Sequence, residues 1–153
     1  MNPSRPADRP VEAVELFIPP LPEYLQLVRA VVGATVGVGR EDELPLDPGG
    51  IADLRLVVSE AVTNAIEAQW SIGANDRILV RCRPDQKQTV VEVVDRGPGF
   101  DPDLVPDLPP VEDEERLDHE SGLGLSLMKR LADGTVVETG PGGTIIRLVV
   151  EYP

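Results

Sequence analysis

Apolar residues recur along this chain with two periods, one near two and one near 3.6, and these divide it into strands and helices. Val11 to Ile18 alternates as a strand does, and Pro19, Pro20 and Pro22 end the run. Leu25, Val28, Val31 and Val32 then take helical spacing. Asp47 followed by Pro48 has the form of an N-cap and first helical position, opening a long helix that reaches Ala68 or Gln69. At about 100° per residue, Ile51, Leu54, Val58, Ala61, Val62 and Ala65 fall on one arc of that helix. Asp53, Glu60, Asn64 and Glu67 fall on roughly the opposite one, so Glu60 and Asn64 point away from the main apolar face.

Two β-branched runs, Arg77 to Pro84 and Gln88 to Asp95, are joined around Asp85, Gln86 and Lys87 as a hairpin. A second hairpin, Thr135 to Thr139 and Thr144 to Glu151, turns at Gly140-Pro141-Gly142-Gly143. A helix from Leu123 to Leu131 precedes it. The order strand, helix, helix, strand, strand, loop, helix, strand, strand predicts an α/β two-layer sandwich. Its sheet would be mixed, mostly antiparallel, with the helices on one face.

Composition sets the limits of that unit. At 153 residues the chain is one domain, and 41% hydrophobic content supplies a core although only 3% of residues are aromatic. Residues 1–10 hold three prolines and no apolar period, so they read as a disordered tail before a single domain over residues 11–153. Phe100 to Glu120 carries nine acidic residues, one Arg and four prolines, and reads as a mobile loop. The formal charge of −13 opposes nucleic-acid binding, which needs clustered cations. No apolar stretch is long enough to span a membrane, and the single cysteine, Cys82, is read as a small core residue of a cytoplasmic protein.

Three segments bring polar groups or bare backbone together: Ser59 to Ala68, Val93 to Phe100 and Ser121 to Asp133. Glu60 and Asn64 lie one helical turn apart. Alone they are equally the solvated side of an amphipathic helix; as a site, the Asn64 oxygen suits Mg²⁺ and Glu60 can take a proton from a hydroxyl. Asp95 before Gly97 and Gly99 is turn chemistry or a carboxylate that accepts from the adenine amino group, where guanine presents a repelling carbonyl. Gly122 and Gly124 precede the apolar pattern Leu125, Leu127, Met128, Leu131, and amides at a helix start bind anions without a lysine. The chain has no GxxxxGK[ST] and no GxGxxG after a strand, which excludes the P-loop and the dinucleotide fingerprint. His119, the lone histidine, reads as a solvated loop residue, and no Zn or Cys/His pair is supported.

Taken together, Glu60-Ala61-Val62-Thr63-Asn64-Ala65, Asp95 to Phe100, Gly122-Leu123-Gly124-Leu125 and Gly143-Thr144 resemble, in order, the motifs of the GHKL (Bergerat-fold) ATPase superfamily. Within it the compact N-terminal half resembles the bacterial anti-sigma factor serine/threonine-protein kinases. The resemblance implies ATP and Mg²⁺ as cofactors, Asn64 as the Mg²⁺ ligand, Glu60 as general base and Asp95 as the adenine contact. It also implies that Gly97 and Gly99 shape the adenine pocket, that Gly122, Leu123 and Gly124 meet the phosphates, that Thr144 supports the adenine side and that residues 100–120 form an ATP lid. The chain departs from the family's Asn-Ala-x-x-His-Ala, reading Asn64-Ala65-Ile66-Glu67-Ala68-Gln69.

The function so implied is an anti-sigma factor that phosphorylates a serine of an anti-anti-sigma (STAS-type) partner and regulates transcription, as in a stress response, by partner switching. Its partners would be that protein, a sigma factor and ATP or ADP, with a homodimer suggested by resemblance alone. The alternatives are an ATP-binding partner-switch module without kinase activity and a detached histidine-kinase-like ATPase domain. The length opposes the latter, leaving no room for a dimerising helix with a phosphoacceptor His.

Overall fold

The computed structural model of the chain describes residues 12–40, 43–101 and 120–153, with the side chains of residues 120–123 excepted. The predicted tail, His119 and all of the predicted lid except Phe100, Asp101 and Glu120 lie outside the described residues. The elements are β1 (Val14–Ile18), a 3₁₀ turn (Pro22–Tyr24), α1 (Leu25–Thr35), α2 (Pro48–Ser71), β2 (Ile78–Pro84) and β3 (Gln88–Asp95). After the acidic segment come α3 (Glu120–Leu131), β4 (Gly134–Gly140) and β5 (Gly143–Glu151).

The strands form one sheet in the order β1-β2-β3-β5-β4. Every pairing among these strands is antiparallel, so the sheet is not mixed. β1 begins three residues later than its alternation suggests. Val14 pairs with Cys82, and extending that register would set Glu12 opposite Pro84, which has no N–H to offer the ladder.

Alternate residues of the central strands are buried: Ile78, Val80 and Cys82 on β2, Val91 and Val93 on β3, Ile146 and Leu148 on β5. They face Val28 and Val32 of α1, Leu54 to Ala65 of α2, and Leu125 and Met128 of α3, which together form one core. Burial pushes the Cys82 thiol up to about 11, so it is an inert core residue as expected. On the other face of the sheet, Glu92 lies 3.1 to 3.6 Å from the guanidinium groups of Arg81, Arg83 and Arg147.

Helix α2 positions the site, and its two ends are built differently. The Asp47 side chain accepts from the Gly50 amide at 2.7 Å, the predicted N-cap. The helix passes its predicted end at Gln69 and stops at Ser71, where Gly73 takes a positive φ of 66°. The Gly73 amide then reaches the Trp70 carbonyl and the Ala74 amide the Gln69 carbonyl, which satisfies the last turn.

α3 starts at Glu120, three residues before the predicted Leu123. Gly122 therefore joins Gly124 inside the helix instead of preceding it. Glycine costs about 1 kcal/mol in a helix relative to Ala, and packing against α2 overrides that propensity.

Candidate functional site

Successive turns of α2 carry Glu60, Asn64 and Ala68 on one stripe, because residues four apart share a helical face. Glu60 and Asn64 are half-buried, not fully solvated as the polar side of a free amphipathic helix would be. α3 packs against this stripe. A Cβ added at the buried Gly124 would lie 3.1 Å from Glu60 Oε2 and 3.3 and 3.4 Å from Asn64 Nδ2 and Oδ1. The bare α3 backbone thus runs directly over both side chains, and any larger residue would press on them.

Burial raises the Glu60 carboxyl above the ordinary glutamate range, and the Glu67 carboxylate raises it further. Such a shift suits a proton acceptor better than an ordinary surface carboxylate. Gly122 and Leu123 lie at the described start of α3, just ahead of Gly124. Among the described residues no three His, Cys, Asp or Glu side chains converge on a metal position. A divalent cation here would take the hard oxygen of Asn64 and share the rest of its shell with a ligand.

The other end of the stripe meets the end of β3. A Cβ on Gly97 would lie 2.7 Å from the Ala68 Cβ, so the Asp95–Gly97 turn packs flush against α2. Asp95 is 5% exposed, and its Oδ1 accepts from the Gly97 amide at 2.8 Å. Burial lifts its carboxyl above the ordinary aspartate range, against the opposing pull of the Gly97 and Thr144 amides.

Thr144 opens β5 directly opposite Asp95 and is buried. Its hydroxyl is 2.8 Å from that of Thr139, which also accepts from the Phe100 amide at 3.1 Å. Glycine is required on both sides of this junction. Gly143, at φ 137°, has the Asp95 carbonyl oxygen where a Cβ would stand, and Gly99, at φ 76°, has that of Gly140.

The structure therefore gathers Glu60, Asn64 and Gly124 at one end and Asp95, Gly97, Gly99 and Thr144 at the other. Eight residues of α2, about 12 Å at 1.5 Å per residue, join them. Sequence reasoning missed Ala68 and Thr139. Ala68 carries no polar signal, and Thr139 meets Phe100 from 39 positions away.

The comparisons agree with this geometry. The family model of the histidine kinase-like ATPase domain matches residues 18–150. Serine-protein kinase RsbW of Bacillus velezensis is 33% identical over 141 residues, 88% of this chain and 83% of that protein. Serine-protein kinase RsbW of Bacillus subtilis is 33% identical over 135 residues, 86% and 81% of the two chains. The solved structure of the RsbU and RsbW domains of Rv1364c from Mycobacterium tuberculosis shares the fold, with a TM-score of 0.63 at 20% identity over 94% of this chain and 33% of that one. By sequence, by fold and by the motifs its site brings together, the chain belongs to the histidine kinase-like ATPase domain family, among the RsbW-type serine-protein kinases.

Proposed function

We propose that this chain is an ATP-dependent serine-protein kinase and anti-sigma factor acting by partner switching, with ATP bound along the α2 stripe. The observation that carries this reading is the passage of Gly124 over Glu60 and Asn64 while Asp95 and Thr144 lie at the far end of the same helix. A molecule spanning the stripe needs an amino group for Asp95 at one end and an anion for the α3 amides at the other. ATP has both.

In this reading Asp95 accepts from the adenine amino group, supported by Thr144, with Gly97 and Gly99 leaving room for the base. Gly122, Leu123 and Gly124 approach the phosphates with backbone alone. Mg²⁺, held by Asn64 and the phosphates, neutralises charge on the transferred group. Glu60 takes the proton of the partner's serine hydroxyl as that oxygen attacks the γ-phosphorus and ADP leaves. The acceptor is a serine on an anti-anti-sigma (STAS-type) protein, and the other partner is a sigma factor. The site of action is the cytoplasm; light scattering would test for a homodimer.

Calorimetry with Mg-ATP, Mg-ADP and Mg-GTP, followed by γ-phosphate transfer to a cognate STAS-type protein, tests the proposal. ATP and ADP bind, GTP binds far more weakly, and label appears on a partner serine. Glu60→Gln keeps ATP binding and slows transfer by a factor of about 10² to 10⁴, the usual worth of a general base. Binding without transfer would leave an ATP-gated partner-switch module, and equal affinity for ATP and GTP would remove the adenine assignment.

A further inference from the structure

A polar side chain given no role above sits in the core at the Asp95 end of this site. Gln69 is fully buried on the inner side of α2, one residue past Ala68, at a place where an apolar residue would complete the core. A buried amide is costly unless it is bonded, and this one is bonded to two distant segments. Its Nε2 donates to the Asp76 carbonyl at 2.6 Å, and its Oε1 accepts from the Arg96 amide at 2.9 Å. Its own carbonyl accepts from the Ile72 and Ala74 amides at 3.2 and 2.9 Å, so the side chain projects from a fixed backbone.

We propose that Gln69 is a positioning and specificity residue, which holds the base-reading Asp95 carboxylate at a set place relative to Asn64 and Gly124; this rests on the ATP reading above. Arg96 directly follows Asp95, and the next amide, that of Gly97, bonds to the Asp95 carboxylate. Two successive amides of the turn are thus fixed, one by Asp95 itself and one by α2. Only the second link ties the turn to the helix that carries Asn64. A nucleotide that contacts both ends of the stripe is sensitive to that spacing. Without the Gln69 acceptor, the Arg96 N–H is left unpaired and the turn is held to α2 only by its packing on Ala68.

Gln69→Met keeps the length of the side chain and removes both bonds. In the folded variant, calorimetry should show ATP binding weakened about tenfold with GTP binding little changed, so the ATP:GTP preference falls by a similar factor. The KM for ATP should rise while kcat at saturating ATP stays within about twofold, because Glu60 and Asn64 are untouched. Without nucleotide, the Arg96 amide should exchange hydrogen faster than in the wild type. If the Met variant does not fold, Gln69→Asn, one methylene too short to reach Arg96, must show the same loss of preference. An unchanged ATP:GTP ratio in a folded variant, or an Arg96 amide still protected, would overturn the proposal and leave Gln69 a core residue only. A wild type with no preference for ATP would instead overturn the reading beneath it.

Discussion

Adding one methyl group at Gly124 separates the stability of this domain from its chemistry. Gly124→Ala gains about 1 kcal/mol of helix propensity in α3. Against this, the new Cβ would stand 3.1 Å from Glu60 Oε2 and 3.3 Å from Asn64 Nδ2. Relief requires each side chain to withdraw by a few tenths of an ångström. The Glu60 carboxylate is the far end of a flexible chain and yields easily; Asn64 is shorter, and its amide gives way less freely. The two effects nearly cancel, so stability should change by less than about 1 kcal/mol, or some 2 to 4 °C in Tm for a domain of this size.

Nucleotide binding should not cancel in the same way. In the proposed site the methyl displaces Asn64, the Mg²⁺ ligand, and losing an interaction with a charged group costs about 1.5 to 3 kcal/mol. Mg-ATP affinity should therefore drop roughly ten- to a hundredfold. A thermal melt without nucleotide and calorimetry with Mg-ATP measure the two effects separately. Affinity within twofold of wild type in a folded variant would show that nothing binds beneath Gly124.

Two further substitutions probe the raised carboxyls. Asp95→Asn should raise stability near neutral pH while abolishing the preference for ATP. The folded carboxyl is raised, so its stabilising contribution is complete below the ordinary value of about 3.9 and is lost as pH rises through the folded one. The stability gain should thus be larger at pH 7 than at pH 4 in parallel melts, and an equal gain at both would contradict the burial argument. Glu67→Gln removes the smaller cause of the raised Glu60 carboxyl. The acid limb of the phosphotransfer pH profile should move to lower pH but stay above the ordinary glutamate value of about 4.3, because burial remains. A limb that does not move would mean that Glu60 is not the titrating base.

How far the sequence disclosed this arrangement depended on the range of the interactions. The Asp47 cap rests on a bond between near neighbours and was legible; the bounds of β3 were legible too, from its β-branched run, although Gln88 and Asp95 pair with distant β5. The end of α2 was also written locally, in Gly73, but the helical pattern was followed only as far as Gln69. The helical wheel found one apolar arc and left out Val57, Ile66 and Gln69, which are buried as well. A wheel records polarity and not the number of neighbours, and α2 is covered by α1 and α3 as well as by the sheet. The motif residues could each be named, yet not the contacts that assemble them. Gln69 reaches Arg96 across 27 positions, and the small residues Ala68 and Gly124 matter through the side chains they lack.

The proposed site also requires an acidic chain to hold an anion. With a formal charge of −13, nucleotide phosphates are repelled at long range, and Glu60 and Glu67 stand close to where they would lie. In the proposed reading, Mg²⁺ at Asn64 supplies positive charge beside Glu60, and backbone amides of α3 meet the phosphates. Gly124 weakens α3 as a helix but lets its backbone approach Glu60 and Asn64, and the proposed site depends on that close approach.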